Sequence, residues 1–147
     1  MSQTMVTRHV EFEAAHLLEG YDGRCGSLHG HSYAMEVTAS CPDCIRKQHD
    51  FGFVMDFKKL DKILDEYIPD HCYITNMNNG PGTADYEISK IVESHGMRIS
   101  KMANEPSAEN MVNVFATDLQ ILVGEEFTVE EIKLWETTNS YATWRRG

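Results

Sequence analysis

The chain carries few basic side chains for its size. Its 147 residues include 13 lysines and arginines against 23 aspartates and glutamates, so the formal net charge is −10. Because nucleic acids and anionic lipid surfaces favour basic protein faces, this balance argues against broad contact with either. A small anionic substrate is still compatible with it, since a metal ion or a few local cations can dominate the charge of a single pocket.

Long apolar runs are also missing. No stretch is long and apolar enough to cross a membrane, and the N-terminus has no basic segment followed by an apolar run, as a signal peptide would have. We therefore expect a cytoplasmic protein. The sequence contains no internal repeat and no low-complexity segment. Its length and its 41% hydrophobic content fit one globular domain that spans residues 1–147.

Cysteine is sparse, with four residues in the chain. In a reducing compartment this number does not indicate a disulfide framework. Cys41 and Cys44 form a C-x-x-C motif, but no second C-x-x-C is present to complete a four-thiolate zinc site. A turn between strands that happens to contain two thiols is the simpler interpretation, and we assign no role to this pair or to Cys72.

The chain does have a histidine pattern that suits a metal ion. His29 and His31 are two residues apart in a predicted strand, where residues i and i+2 project from the same face. His16 ends another alternating stretch and is in phase with its apolar side chains. Three protein nitrogens without an obvious fourth ligand are typical of a catalytic zinc, which keeps one position open for water or substrate. The alternative is three histidines that are only packed and hydrogen-bonded.

Cys25 precedes this histidine pair in a glycine-rich segment that predicts a loop. A thiol at this place has three readings. In the first it is a fourth ligand of the metal. In the second it acts as an acid, base or nucleophile beside the metal, and in the third it is a loop residue without function. The residues alone do not choose among these readings.

Hydrophobic periodicity predicts an α+β fold. Alternation predicts strands at 5–16, 28–40, 127–137 and 141–145, together with a short apolar strand at 51–55. Helical spacing predicts one helix from the N-cap Asp56 to about Pro69, one from Ser107 to Gly124, and a shorter one at 84–95. The segment 97–106 has no readable pattern. The order of these elements predicts an antiparallel sheet with helices on one face.

Several blocks of the sequence resemble those of one known family and occur in the same order. They are Phe12-Glu13-Ala14-Ala15-His16, Cys25 with His29-Gly30-His31, Gly52-Phe53-Val54-Met55-Asp56-Phe57, Leu64 with Asp70-His71, Ser107-Ala108-Glu109-Asn110 and Trp135-Glu136-Thr137. Over nearly its whole length the sequence is similar to the 6-pyruvoyl-tetrahydropterin synthase / 6-carboxy-tetrahydropterin synthase family. The three-residue gap between Cys25 and His29 resembles the 6-carboxy type of the queuosine and other 7-deazapurine pathways, because animal pyruvoyl-forming synthases have a longer gap.

The resemblance implies the tunnelling fold (T-fold). In this fold an antiparallel four-stranded sheet carries two main helices on one face and joins the sheets of other subunits in an oligomeric β-barrel. A small sheet also has two open edges that need covering. We therefore expect a homo-oligomer, a hexamer built as a dimer of trimers, with its pocket at subunit contacts. The range 76–104 looks longer than in compact members by about one helix, and we expect it to be an insertion.

The resemblance also implies an enzyme that binds one Zn²⁺ per subunit through His16, His29 and His31. The substrate would be a pterin triphosphate, 7,8-dihydroneopterin triphosphate. A 6-carboxy enzyme is a lyase that would convert it to 6-carboxy-5,6,7,8-tetrahydropterin and release acetaldehyde and triphosphate. Two alternatives remain open. One is a pyruvoyl-forming synthase of the same fold, which releases triphosphate without acetaldehyde, and the other is a non-catalytic subunit that binds a pterin or a metal.

Two catalytic roles are implied by the resemblance. Cys25 would be the proton acceptor, which requires a thiol pKa lowered toward neutrality by a nearby metal or imidazolium. Asp70 and His71 would form the partner proton relay, with the aspartate orienting the ring. In isolation, an Asp-His dipeptide at the end of a helix more commonly has a capping role.

Glu136 shares the parity of Ile132 and Leu134, so its side chain should point inward. A buried carboxylate needs partners, and a pterin ring offers an amino group and a ring N–H side by side. By resemblance Glu136 is the pterin anchor and part of the catalytic set, and the alternative is an internal salt bridge. Ser107 and Glu109 are candidate pocket residues, although helix capping explains them equally well. The sequence does not choose a triphosphate site among Arg24, Lys58, Lys59, Arg98, Lys101 and the C-terminal arginines.

Overall fold

One six-stranded sheet and three α-helices make up the part of the chain that the computed structural model describes, residues 3–41 and 56–147. The elements are β1 (Met5–His16), β2 (His29–Ser40), α1 (Phe57–Tyr67), β3 (Cys72–Asn76), α2 (Ala84–Ser94), β4 (Ile99–Met102), α3 (Ala108–Val123), β5 (Thr128–Thr137) and β6 (Ser140–Arg145). The strands lie in the order β4-β3-β1-β2-β5-β6.

The long pair β1 and β2 forms the centre of the sheet. The two strands run antiparallel over twelve residues each, with His16 opposite His29 and Ala14 opposite His31. Along both strands the side chains alternate between buried and more exposed positions, which confirms the predicted period of two. The buried face carries Phe12 and Tyr33, and the histidines continue this face beyond the core.

Helices α1 and α3 cover the buried face of the sheet. Leu60 and Leu64 of α1 and Leu119 of α3 are fully buried, because apolar residues at helical spacing place their side chains on one stripe. Both helices begin where the sequence predicts. The Asp56 side chain accepts a hydrogen bond from the Lys58 N–H at 2.9 Å, and the Ser107 hydroxyl oxygen accepts one from the Asn110 N–H at 3.2 Å.

The predicted sheet of four antiparallel strands is wrong in its strand count and in the directions of the added strands, whereas the two main helices and the shorter helix predicted at 84–95 are confirmed. The short strands β3 and β4 extend the sheet to six strands and pair in parallel, β3 with β1 and with β4. Every residue of β3 is buried, so the alternation by which a strand is recognised is absent there. Helix α2 connects the two parallel strands, as a parallel pair requires, and is the third helix.

Two predictions made from the sequence are not tested by the structure. The strand at 51–55 and the residue Cys44 lie outside the described residues. The range 76–104 contains α2 and β4, and its status as an insertion stays a prediction. Within residues 3–41 and 56–147, no helix is long and apolar enough to cross a membrane.

Candidate metal centre and its cavity

Three imidazole rings meet where β1 ends and β2 begins. The register brings His16 directly opposite His29 and leaves His31 as its diagonal neighbour on the same face. The ring centroids are 4.6 Å apart for His16 and His29, 5.2 Å for His16 and His31, and 4.9 Å for His29 and His31. One nitrogen from each ring lies within 4.8 Å of the other two, so these residues can hold a metal ion.

Backbone carbonyls fix the orientation of two of the rings. Nδ1 of His16 lies 2.7 Å from the carbonyl oxygen of Pro106, and Nδ1 of His29 lies 2.6 Å from that of Ser27. A carbonyl only accepts, so each Nδ1 carries a hydrogen and each Nε2 of the neutral ring presents a lone pair. This is the arrangement in which outer-shell partners hold histidine ligands for a metal.

Electrostatics keep the His16 ring neutral. Its pKa is lowered to about 4, first because burial disfavours the charged ring and then through repulsion from His29 and His31, against the opposing effect of the hydrogen bond to Pro106. The pKa of His31 is also lowered, mainly by burial, although the Glu136 carboxylate opposes this shift. Neutral imidazole is the form that binds a metal ion.

The spacing of the nitrogens suits zinc. Nε2 of His16 and Nε2 of His29 are 3.1 Å apart, so two lone pairs face each other unless a proton or a metal ion lies between them. Two nitrogens on one tetrahedral zinc, each at about 2.0–2.1 Å, would be separated by about 3.3 Å. Nε2 of His31 is buried and has no hydrogen-bond partner among the described residues. One shared metal ion would satisfy all three nitrogens, whereas one proton would satisfy only two.

The loop between β1 and β2 brings Cys25 to the same place. Its backbone folds back on itself, with the Leu18 N–H donating to the Cys25 carbonyl at 2.8 Å. A Cβ at Gly26 would lie 2.2 Å from the Tyr21 carbonyl oxygen, so the turn after Cys25 needs glycine. Cys25 is a half-buried free thiol that opens onto a cavity shared with His16. This placement fits a residue that acts beside the metal centre.

The cavity has a volume of about 420 Å³, within the range of small-molecule sites. Its lining includes five of the predicted site residues: His16, Cys25, Ser107, Glu109 and Glu136. The remaining lining residues are Leu18, Tyr21, Ala108, Ser140, Tyr141 and Ala142. None of the described residues that line it is a lysine or an arginine, so no side chain of that kind is available there for a triphosphate.

Glu136 faces inward as its parity predicts. It lies at an irregularity in the pairing of β5 with β6, a type of feature that re-aims a side chain. Its Oε1 is 3.4 Å from Nε2 of His31, and 26% of its side chain is exposed. The carboxylate is therefore close to the metal centre and still open to a ligand in the cavity.

Neither Asp70 nor His71 lines this cavity, and His71 lines a second cavity together with His31. Oδ1 of Asp70 accepts a hydrogen bond from the Glu13 N–H at 2.9 Å and lies 3.0 Å from Nδ1 of His71. These contacts lower the pKa of Asp70, the Glu13 N–H having the largest effect. His71 has a φ of 55°, a left-handed conformation that side chains rarely adopt. The predicted contact between Asp70 and His71 is present. The exposed His71 ring, however, lines a cavity of about 460 Å³ that Cys25 does not line.

Three further groups contribute to the centre and were not among the predicted site residues. The Pro106 and Ser27 carbonyls orient the rings, and any residue type can offer a carbonyl, so no sequence signal marks them. Tyr33 stacks on Phe12 with centroids 4.9 Å apart and packs edge-on against His31 at 5.5 Å. Its position is readable, because Tyr33 continues the parity of His29 and His31.

Comparisons with known proteins agree on one family. A family model described as 6-pyruvoyl tetrahydropterin synthase matches residues 5–147. The 6-carboxy-5,6,7,8-tetrahydropterin synthase of Rickettsia felis is 34% identical over 140 residues, which cover 92% of this chain and 95% of that protein. The protein of the same name from Haemophilus influenzae is 27% identical over 143 residues, or 95% of this chain and 97% of that one.

Solved structures share the fold at lower identity. The Caenorhabditis elegans 6-pyruvoyl tetrahydropterin synthase superposes with a TM-score of 0.67 and 20% identity, covering 100% of this chain and 98% of that one. An uncharacterized protein from Wolinella succinogenes gives 0.69 and 17%, with both chains fully covered. The family match over nearly the whole chain, with close relatives of full length, establishes that this chain belongs to the 6-pyruvoyl tetrahydropterin synthase family.

Proposed function

We propose that the protein is a zinc-dependent 6-carboxy-tetrahydropterin synthase of 7-deazapurine (queuosine) biosynthesis. It would convert 7,8-dihydroneopterin triphosphate and one water molecule to 6-carboxy-5,6,7,8-tetrahydropterin, acetaldehyde and triphosphate. The observation that carries the proposal is the convergence of His16, His29 and His31, because His16 also lines a cavity with Cys25 and Glu136. The relatives of similar length that bear the 6-carboxy name support this choice of product.

In this proposal the three histidines hold one zinc ion. When bound, the zinc would supply Lewis acidity that makes the hydroxyls of the substrate side chain easier to deprotonate. Glu136 binds the pterin ring by accepting hydrogen bonds from its amino group and its ring N–H. Ser107 and Glu109 line the same cavity and would contact the pterin in addition to their place at the start of α3.

Cys25 takes the proton from the substrate side chain as its thiolate, because a thiol acts as a base only after it has ionised. Its position in a cavity that His16 also lines supports this role. His71, oriented by Asp70, is the partner group that exchanges protons with the substrate or with solvent.

We further propose that the complete site forms between subunits of a homo-oligomer, a hexamer arranged as a dimer of trimers. In one chain Cys25 lines a cavity with His16, whereas His71 lines another with His31, and a second chain would bring Cys25 and His71 to one site. No lysine or arginine of the described residues lines the cavity at Cys25, and Arg98 lines the cavity at His71, where it is one candidate for contact with the triphosphate. Among the described residues, β4 and β6 are the edge strands of the sheet, and their outer edges would be available for such an assembly.

Identification of the products tests the reaction. We expect purified protein loaded with zinc to release acetaldehyde and triphosphate from 7,8-dihydroneopterin triphosphate. Triphosphate with a 6-pyruvoyl product and no acetaldehyde would instead indicate the pyruvoyl-forming reaction. Neither product would indicate a non-catalytic subunit. Protein stripped with a chelator serves as the control, and its activity should return when zinc is added.

Complementation between inactive variants tests the shared site. Cys25→Ala and His71→Ala should each be inactive alone, while their co-expression should restore about one quarter of the wild-type activity, because a quarter of randomly mixed interfaces contain both intact residues. Co-expression of Cys25→Ala with the double variant Cys25→Ala/His71→Ala is the control and should remain inactive. An active wild-type monomer in light scattering, or no restored activity in the mixed oligomer, would contradict a site shared between chains.

A further inference from the structure

The segment before α3 is held by hydrogen bonds from several parts of the chain. The Glu105 carbonyl accepts from the Asn110 side-chain amide and from the Ser107 N–H, both at 2.9 Å. Pro106, which follows, is buried, and its carbonyl accepts from Nδ1 of His16. The orientation of the His16 ring therefore depends on how firmly this short segment is fixed.

The carboxylate of Glu105 joins this segment to two others. Its Oε1 accepts from the side-chain amides of Asn76 at 3.2 Å and Asn79 at 3.0 Å, both in or beside the turn that follows β3. Its Oε2 accepts from the Glu19 N–H at 3.2 Å, in the loop that follows His16. The Leu18 N–H of the same loop donates to the Cys25 carbonyl. Glu105 therefore links the segment that orients the His16 ring to the loop that carries Cys25.

A fully buried aspartate anchors the other end of the network. Asp85 accepts hydrogen bonds from the Tyr73 and Thr75 hydroxyls at 2.6 and 3.0 Å, from the Asn76 N–H at 3.1 Å and from the Asn79 amide at 2.8 Å. The Asn79 amide therefore bridges Asp85 and Glu105. The Glu19 carboxylate closes the network by accepting from the Asp85 N–H at 2.9 Å. A network with its acceptors satisfied in this way stiffens the backbone that carries it.

We propose that Glu105 is a positioning residue of the metal centre. Its carboxylate fixes the Pro106 carbonyl and the start of the Cys25 loop together, and so holds the His16 ring in the orientation that a metal ion requires. The range 76–104 thereby has a role, because Asn76, Asn79 and Asp85 belong to the hydrogen-bond network that holds Glu105. This proposal rests on the zinc site proposed above, and in it the network sets the affinity of that site for zinc.

Both carboxylate oxygens of Glu105 must be hydrogen-bond acceptors for this network to form. Oε1 receives two amide donors and Oε2 receives a backbone N–H, so all three contacts need lone pairs. Glutamine in place of Glu105 converts one of these oxygens into an NH₂ donor. In either orientation of the glutamine amide, its NH₂ group then faces an N–H donor. At least one of the three hydrogen bonds is therefore lost.

Zinc affinity of the isolated protein tests the inference without substrate. For Glu105→Gln we expect the zinc Kd, measured by competition with a chromophoric chelator, to rise by about 10–100-fold, as for the loss of outer-shell partners. The visible spectrum of the Co²⁺-loaded variant should also change, because the geometry at His16 changes. Glu87→Gln removes a charge from an exposed site on α2 and should leave both measurements at the wild-type value.

The outcomes separate this inference from the proposed function. Wild-type protein that binds no zinc would overturn the metal centre itself. Wild-type protein that binds zinc, with an unchanged Kd and Co²⁺ spectrum in Glu105→Gln, would overturn the positioning role alone, and so would a lower melting temperature without either change. If Glu105→Gln does not fold, Asn79→Ala removes only the bridging amide. It should raise the Kd and alter the Co²⁺ spectrum in the same sense, and an unchanged Asn79→Ala would overturn the inference.

Discussion

Replacement of Cys25 by alanine should lower kcat by about 10²–10⁴-fold, the contribution usual for a positioned acid or base, and should leave the bound zinc in place. The thiol lines the cavity at the metal centre, but the three histidine nitrogens already provide the ligands. Loss of the thiol therefore removes a proton acceptor without removing the zinc. The measurement is turnover of 7,8-dihydroneopterin triphosphate together with zinc content per chain.

Cys72→Ala is the matched control for this experiment. Cys72 is the other free thiol among the described residues, and it is buried in β3 beside the second cavity. We expect this variant to keep turnover within a few-fold of wild type. Unchanged turnover in Cys25→Ala would remove Cys25 from the mechanism. A loss of zinc in Cys25→Ala would show that the sulfur is a ligand rather than a base.

Replacement of His16 by alanine should weaken zinc binding by more than about 100-fold, the upper end of what the loss of an outer-shell partner costs. His16 is the most buried of the three histidines, at 2% exposure, and its ring is oriented by Pro106. Alanine leaves two protein ligands where a catalytic zinc site needs three. The zinc Kd of the variant should therefore rise steeply, and turnover should be lost with the metal.

His9→Ala is the matched control for the loss of a ligand. His9 is on the same strand as His16 but has the opposite parity, and its side chain is 52% exposed on the face of the sheet opposite to His16. Its replacement should change neither zinc content nor turnover. A His16→Ala protein that retains zinc at wild-type affinity would exclude the three-histidine site, and an equal effect of both variants would indicate damage to the strand instead.

The parts of the fold that depend on local patterns were predictable. Strands β1 and β2 alternate strictly, so the parity of His16, His29 and His31 already places the three rings on one face. The caps Asp56 and Ser107 mark the starts of their helices for an equally local reason. The metal centre is therefore readable from the sequence because strand geometry alone brings its ligands together.

The rest depends on contacts between distant segments. Strand β3 is buried throughout and β4 has only four residues, so neither has a hydrophobic periodicity that can be detected in the sequence. Pro106 acts through its carbonyl, which leaves no trace in residue type. The separation of His71 from the Cys25 cavity depends on how distant segments of the chain pack together, and local sequence patterns do not record this.

Anomalous scattering from crystals of the zinc-loaded protein, recorded above and below the zinc absorption edge, tests the metal centre most directly. We predict one anomalous peak per chain, at about 2.0–2.1 Å from one ring nitrogen of each of His16, His29 and His31. A zinc peak at other residues, or no peak between the three rings in protein shown to contain zinc, would contradict it.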